Sequence, residues 1–139
     1  MLRLAKWIFL ALAGFSNSGL AASCESVTRV HLPAVIITSA APANSSNASG
    51  GPISLPPHCV VEGMIDQRTG FNGKAFGIGF ELRLPDQWNG RFLFQGGGGT
   101  DGVVRPAFGS ANTTPAPALQ RGFAVVSTDA GHQGLDASF

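Results

Sequence analysis

Charge is scarce in this chain. Only 12% of its 139 residues are charged and the formal net charge is +1, so it carries neither the basic footprint of a nucleic-acid binder nor the charge excess of a disordered segment. Cysteine is scarcer still, with Cys24 and Cys59 alone. Two widely separated cysteines without a C-x-x-C or a nearby histidine pair make a poor zinc site, and no metal or cofactor is expected. What the chain has instead is apolar material, 44% of residues, and 19 glycines. The glycines exceed the roughly 7% of average usage but occur in several segments rather than one repeat, which excludes collagen-like and low-complexity readings. The composition is that of globular protein. Length alone leaves open one small domain or part of a larger one.

Residues 1–22 carry Arg3 and Lys6, then the apolar stretch from Trp7 to Phe15, then small residues ending in Leu20-Ala-Ala-Ser. That order of basic, apolar and small residues predicts an export signal. The apolar stretch is too short for a comfortable membrane span. A buried N-terminal helix would explain the apolar run but not the small residues after it, and Ala21 stands where a lipoprotein anchor at Cys24 would have leucine. The expected product is residues 23–139, secreted or periplasmic, with no membrane partner after cleavage. In that compartment thiols oxidise, so pairing of Cys24 with Cys59 is the default.

Downstream, Val35-Ile-Ile-Thr38 reads as a strand and residues 40–57, rich in Ala, Ser, Asn, Gly and Pro, as a surface loop. The motifs Asn44-Ser-Ser and Asn47-Ala-Ser match the glycosylation pattern, which is too short to carry weight. Residues 59–65 and 75–84 read as an antiparallel hairpin turning near Asn72-Gly73. In the second strand Phe76, Ile78, Phe80, Leu82 and Leu84 alternate with Gly77, Gly79, Glu81 and Arg83, predicting one buried and one wet face. Glu81 and Arg83 then belong to a solvated face, and no second carboxylate suggests acid/base work. Residues 91–95 and 123–128 are apolar on both faces and read as interior strands. Between them, Thr114, Pro115 and Gly122 are placed to cap, start and end a short helix. Strand, helix, strand is a right-handed crossover with parallel strands. The expected fold class is α/β, a hairpin leading into parallel strands.

The most informative stretch is Arg91-Phe-Leu-Phe-Gln followed by four glycines, Gly96 to Gly99. A strand that ends in glycine can turn sharply and lets another group approach its amides. A flexible linker is the competing reading, but linkers are seldom fused to an apolar strand without a Ser or Pro spacer. Leu84-Pro-Asp-Gln-Trp-Asn-Gly-Arg-Phe-Leu-Phe-Gln-Gly-Gly-Gly, with Arg121-Gly-Phe-Ala-Val-Val-Ser-Thr-Asp-Ala-Gly-His-Gln downstream, resembles the tannase and feruloyl esterase family of α/β-hydrolases from Cys24 to the last residue. The resemblance implies a serine nucleophile and a small-molecule aromatic ester substrate, with terephthalate monoesters hydrolysed by one branch.

By that resemblance the Gly96 N–H is the candidate oxyanion-hole donor, of a kind worth roughly 3 to 4 kcal/mol in the transition state, while Gly97 and Gly98 let the loop lie close to substrate. Asp129 and His132 follow the other parallel strand. They are expected to hydrogen-bond that loop in place rather than serve in a triad, whose chain order is serine, acid, histidine. His31 and His58 receive no role. Neither G-x-S-x-G nor the family's Cys-Ser elbow occurs in the sequence. The chain is therefore expected to be the N-terminal part of a longer hydrolase domain, inactive alone, with the remainder of its own chain as partner. A secreted, disulfide-bonded β-rich binding module is the competing expectation.

Overall fold

The computed structural model of the chain describes residues 23–43, 54–98, 101–110, 116–132 and 134. The expected export signal, both glycosylation-pattern matches, Thr114 and Pro115 lie outside the described residues. Among the described residues five strands form one mixed sheet: β1 (Val35–Ala43), β2 (His58–Thr69), β3 (Ala75–Pro85), β4 (Phe92–Gln95) and β5 (Ala124–Thr128), in the spatial order β1-β2-β3-β5-β4. Neighbours run antiparallel except β4 and β5, which are parallel. The chain leaves β3, skips one place to lay down β4, and returns to insert β5 in the gap.

The hairpin is present and longer than its apolar pattern. β2 continues to Thr69 past a register irregularity between Ile65 and Arg68. There Asp66 takes a left-handed φ of 53° and its N–H donates to the Ala34 carbonyl at 2.7 Å. The reversal is confined to residues 70–74, where the Gly70 N–H donates to the Lys74 carbonyl and Gly73 takes φ 74° without a side-chain clash. β1 likewise runs to Ala43, through residues expected to be loop, because Pro42 and Ala43 pair with Cys59 and His58. An edge strand accommodates Pro42, whose missing N–H leaves no ladder bond unmade on the open side.

The crossover differs from expectation. Among the described residues, 116–122 form one tight turn instead of a helix: the Arg121 N–H is shared between the Pro117 and Ala118 carbonyls, and the Gly122 N–H reaches Leu119. Pro117 has no N–H to donate, and Gly122 at φ 83° ends the turn. Too few residues remain between them to repay helix nucleation. The neighbouring turn is latched to this one, since the Asn89 N–H donates to the Gly122 carbonyl and Asn89 Nδ2 to that of Arg121. That latch aligns the starts of β4 and β5.

Both faces of the sheet are covered. On one, Val61, Cys59 and Phe80 pack with Val35, Ile37, Leu82 and Val126, and with Cys24 and Val27 of a short 3-10 helix over Cys24–Arg29. Cys24 is disulfide-bonded to Cys59, with Cα atoms 5.4 Å apart, as the export context predicts. On the other face, Val125 and Leu119 are fully buried beside Leu55, Ala107 and Ala118. That second cover corrects the wet-face expectation for β3. Glu81 and Arg83 lie beneath residues 105–109, with side chains only 12% and 14% exposed, because a segment remote in sequence folds over them. β4 departs the other way. Among the described residues it lies at the edge of the sheet, with Phe92 and Phe94 60% and 58% exposed, so within these residues its two apolar faces are not both covered.

Candidate active site

Parallel strands deliver their C-terminal ends to the same edge of a sheet, where open α/β sheets gather ligands. Here those ends are Gln95 and Thr128, and the loops that follow them hold the residues singled out by the sequence. Gly96, Gly97 and Gly98 continue from β4 and are exposed. A Cβ added at Gly96 or Gly98 would meet nothing within 4 Å, whereas at Gly97 it would collide with the carboxylate of Asp101. The three glycines are thus not equivalent: Gly97 is a steric requirement of the folded loop. The Ala124 N–H donates to the Arg91 carbonyl. Backbone polar groups alternate in direction along a strand, so Arg91, Leu93 and Gln95 turn theirs toward β5, while Phe92 and Phe94 turn theirs away, and the ladder ends where the glycine run begins.

The two loops interlock. Asp101 and Gly102 are left-handed, with φ 52° and 80°, and the Gly102 N–H donates to the Asp129 carbonyl at 3.3 Å. The Gly134 N–H returns to the Gly102 carbonyl at 2.9 Å. Asp129 is 2% exposed. Its Oδ1 accepts the Gly79 N–H at 3.0 Å and the Gly131 N–H at 2.9 Å, joining the β5 loop to β3. Gly79 fits this role because a Cβ there would sit 2.8 Å from Asp129 Oδ2. His132 is half-buried, and a Cβ at Gly102 would stand 2.9 Å from its Cε1. The Asp129 carboxylate is thus engaged with two backbone amides.

Its removal has a calculable consequence. Asp129→Ala leaves two inward N–H groups without their acceptor and is expected to destabilise the protein by about 3 kcal/mol. Asp129→Asn retains an acceptor oxygen and should cost less than half as much. Denaturant unfolding of both variants checks this, and equal losses would place the stabilisation in the charge instead of the acceptor geometry.

Sequence reasoning missed a polar group beside this edge. Glu81 is the register partner of Ser127, and Ser127 of Gln95, so three polar residues lie in a row across β3, β5 and β4. All three grip residues 105–109. Glu81 Oε1 accepts the Ala107 N–H at 2.8 Å, and the Ser127 hydroxyl donates to the Arg105 carbonyl. Gln95 Nε2 donates to the Pro106 carbonyl at 3.1 Å while its Oε1 accepts the Gly109 N–H at 2.7 Å. The available signal was that Gln95 and Ser127 are polar interruptions of otherwise apolar strands.

The row extends to His58, which had been given no role and is 3% exposed. Arg83 Nε donates to Glu81 Oε1 at 2.6 Å, and Arg83 Nη1 faces His58 Nε2 at 2.8 Å. Arginine can only donate, so Nε2 carries the lone pair, and Nδ1–H donates to the Pro56 carbonyl at 2.7 Å. The guanidinium also lies 4.5 Å from the centroid of Phe108, on the covering segment. Among the described residues no group of three or more His, Cys, Asp or Glu is arranged to hold a metal ion.

A glycine run at the end of a parallel strand, beside a second glycine-bearing loop, is the arrangement anticipated from the motifs. The family model for tannase and feruloyl esterase matches residues 59–139. The chain belongs to that family. It is 43% identical over 100 residues to mono(2-hydroxyethyl) terephthalate hydrolase of Piscinibacter sakaiensis, covering 71% of this chain and 17% of that protein. An uncharacterized esterase of Agrobacterium fabrum is 34% identical over 134 residues, 88% of this chain and 22% of the relative. The crystal structure of feruloyl esterase B from Aspergillus oryzae superposes with a TM-score of 0.59 at 23% identity, over 83% of this chain and 22% of that one. The chain thus spans about a fifth of the length of the relatives it matches. The family match takes in β2 to β5 and both glycine-bearing loops; β1 and Cys24 precede it.

Proposed function

We propose that this chain forms the oxyanion-hole side of a secreted carboxylic ester hydrolase that cleaves esters of aromatic acids. The observation that carries this reading is the placement of Gly96, exposed directly after the C-terminal end of β4 and beside the loop that follows the parallel strand β5. When a nucleophile attacks an ester carbonyl, negative charge develops on the carbonyl oxygen, and a fixed backbone N–H aimed at that oxygen stabilises the tetrahedral species. In α/β-hydrolases one such donor comes from the loop after the third strand and the other from the residue following the nucleophile. Counted from β2, where the family match begins, β4 is the third strand, and the Gly96 amide takes the first role. Gly97 and Gly98 keep side chains out of the approach, and the loop carrying Asp129 and His132 supports it from β5. Aromatic acids as the acyl group are supported by terephthalate in the name of one similar protein and by feruloyl in the description of the family.

The serine nucleophile and its acid and histidine partners lie outside these 139 residues, and no cofactor takes part. A donor without nucleophile and base cannot form an acyl-enzyme. The purified 139-residue polypeptide is therefore expected to release no acid from a methyl ester of a hydroxycinnamic acid, while the complete enzyme does. Turnover by the short polypeptide that survives controls for contaminating esterases would overturn this division of roles. The donor assignment itself is tested by Gly96→Pro in the complete enzyme.

A further inference from the structure

Gly96 has no side chain to hold it, and glycine is the residue whose backbone is least restricted. A donor of the kind assigned to Gly96 must nevertheless be aimed before the reaction begins, since its advantage over water is that it need not reorganise. Something other than Gly96 must fix the peptide between Gln95 and Gly96. β5 holds one side of Gln95 through the ladder, whose last pair is Gln95 with Ser127. The other hold is the Gln95 side chain, whose two polar ends engage the Pro106 carbonyl and the Gly109 N–H. The segment it grips is itself immobilised: Ala107 is fully buried and is bonded to Glu81, and the Arg105 carbonyl is bonded to Ser127. The amide group of Gln95 thereby ties the first residue before the glycine run to the segment that follows it, closing the base of the loop.

We propose that Gln95 is a positioning residue for ester hydrolysis, orienting the Gly96 N–H through its paired hydrogen bonds to residues 106 and 109. It touches no substrate. The proposal rests on the reading of Gly96 as an oxyanion donor, and the experiment separates the two. In the complete enzyme, Gln95→Leu, Gln95→Glu, Gly96→Pro and the Gln95→Leu/Gly96→Pro double variant are compared on a methyl hydroxycinnamate, with thermal unfolding to confirm that each is folded.

Gln95→Leu loses both anchoring bonds and is expected to lower kcat about tenfold or more with KM within about twofold, because the misdirected amide is missed only in the transition state. Gln95→Glu keeps the acceptor for the Gly109 N–H and should lose less, a graded rescue. In the double variant the loss should not exceed that of Gly96→Pro, since a residue acting through the Gly96 amide has nothing to orient once that amide is gone. Wild-type kcat in a folded Gln95→Leu variant, or in Gln95→Glu if Gln95→Leu does not fold, overturns the proposal. So does a double-variant loss equal to the product of the single losses. Wild-type kcat in Gly96→Pro instead overturns the donor reading itself, whatever Gln95 does.

Discussion

Gly96→Pro in the complete enzyme should lower kcat by about a hundredfold or more while leaving the protein folded. Proline deletes one N–H and restricts φ at a position where an added side chain meets no neighbour. The added Cβ itself is accommodated, so on the proposed role of Gly96 the main loss is the hydrogen bond to the developing oxyanion, with any backbone shift imposed by the ring adding to it. The control is Gly98→Ala, which also projects into open space but keeps its N–H and should cost far less. Gly97→Ala is a poor control, because the new methyl group would collide with the Asp101 carboxylate. The measurement is kcat and KM on an aromatic-acid methyl ester, with circular dichroism to confirm folding. A folded Gly96→Pro variant with wild-type kcat would show that this amide does not stabilise the transition state.

The second large effect is on stability. The Cys24–Cys59 bond joins residues 35 apart in sequence, and in the chain-entropy model closing a loop of that length contributes about 4 kcal/mol. No residue of the 3-10 helix over Cys24–Arg29 is buried, so little besides the partial packing of Cys24 and Val27 against the Val61 cluster holds this segment to β2. Replacing both cysteines by serine should thus lower the unfolding free energy by about 4 kcal/mol, read from denaturant unfolding. A linked peptide containing Cys24 and Cys59 should also appear on digestion of the exported, unreduced protein. Two free thiols there, or a double-serine variant within about 1 kcal/mol of the parent, would contradict the account.

The sequence by itself determined what depends on local pattern. The alternation in residues 75–84 predicted β3 and the side of it that carries Phe80 and Leu82. The largely apolar runs at 91–95 and 123–128 predicted β4 and β5, and the parallel pairing expected of a crossover is present, although the described residues 116–122 form one turn instead of a helix. The disulfide was expected from two cysteines that follow a stretch reading as an export signal. The glycine run marked a candidate site by its chemistry, because glycine lets another group approach the backbone at the end of an apolar strand.

Tertiary structure decided which elements are neighbours and what covers each face. Nothing in the apolar runs states that β5 inserts between β4 and β3, antiparallel to β3, since an apolar strand pairs equally well with several others until the whole sheet forms. β1 gained the residues after Thr38 because β2 offered them a ladder, against a composition that favours loop. Glu81 and Arg83 read as exposed because alternation reports only that two faces differ. It cannot report that residues 105–109, more than twenty positions away, fold over the polar face and supply the Ala107 N–H and the Phe108 ring. The row of Glu81, Ser127 and Gln95 is legible only in the register of three strands. Its members are scattered in sequence and become adjacent because hydrogen-bond ladders, not chain proximity, set which side chains meet.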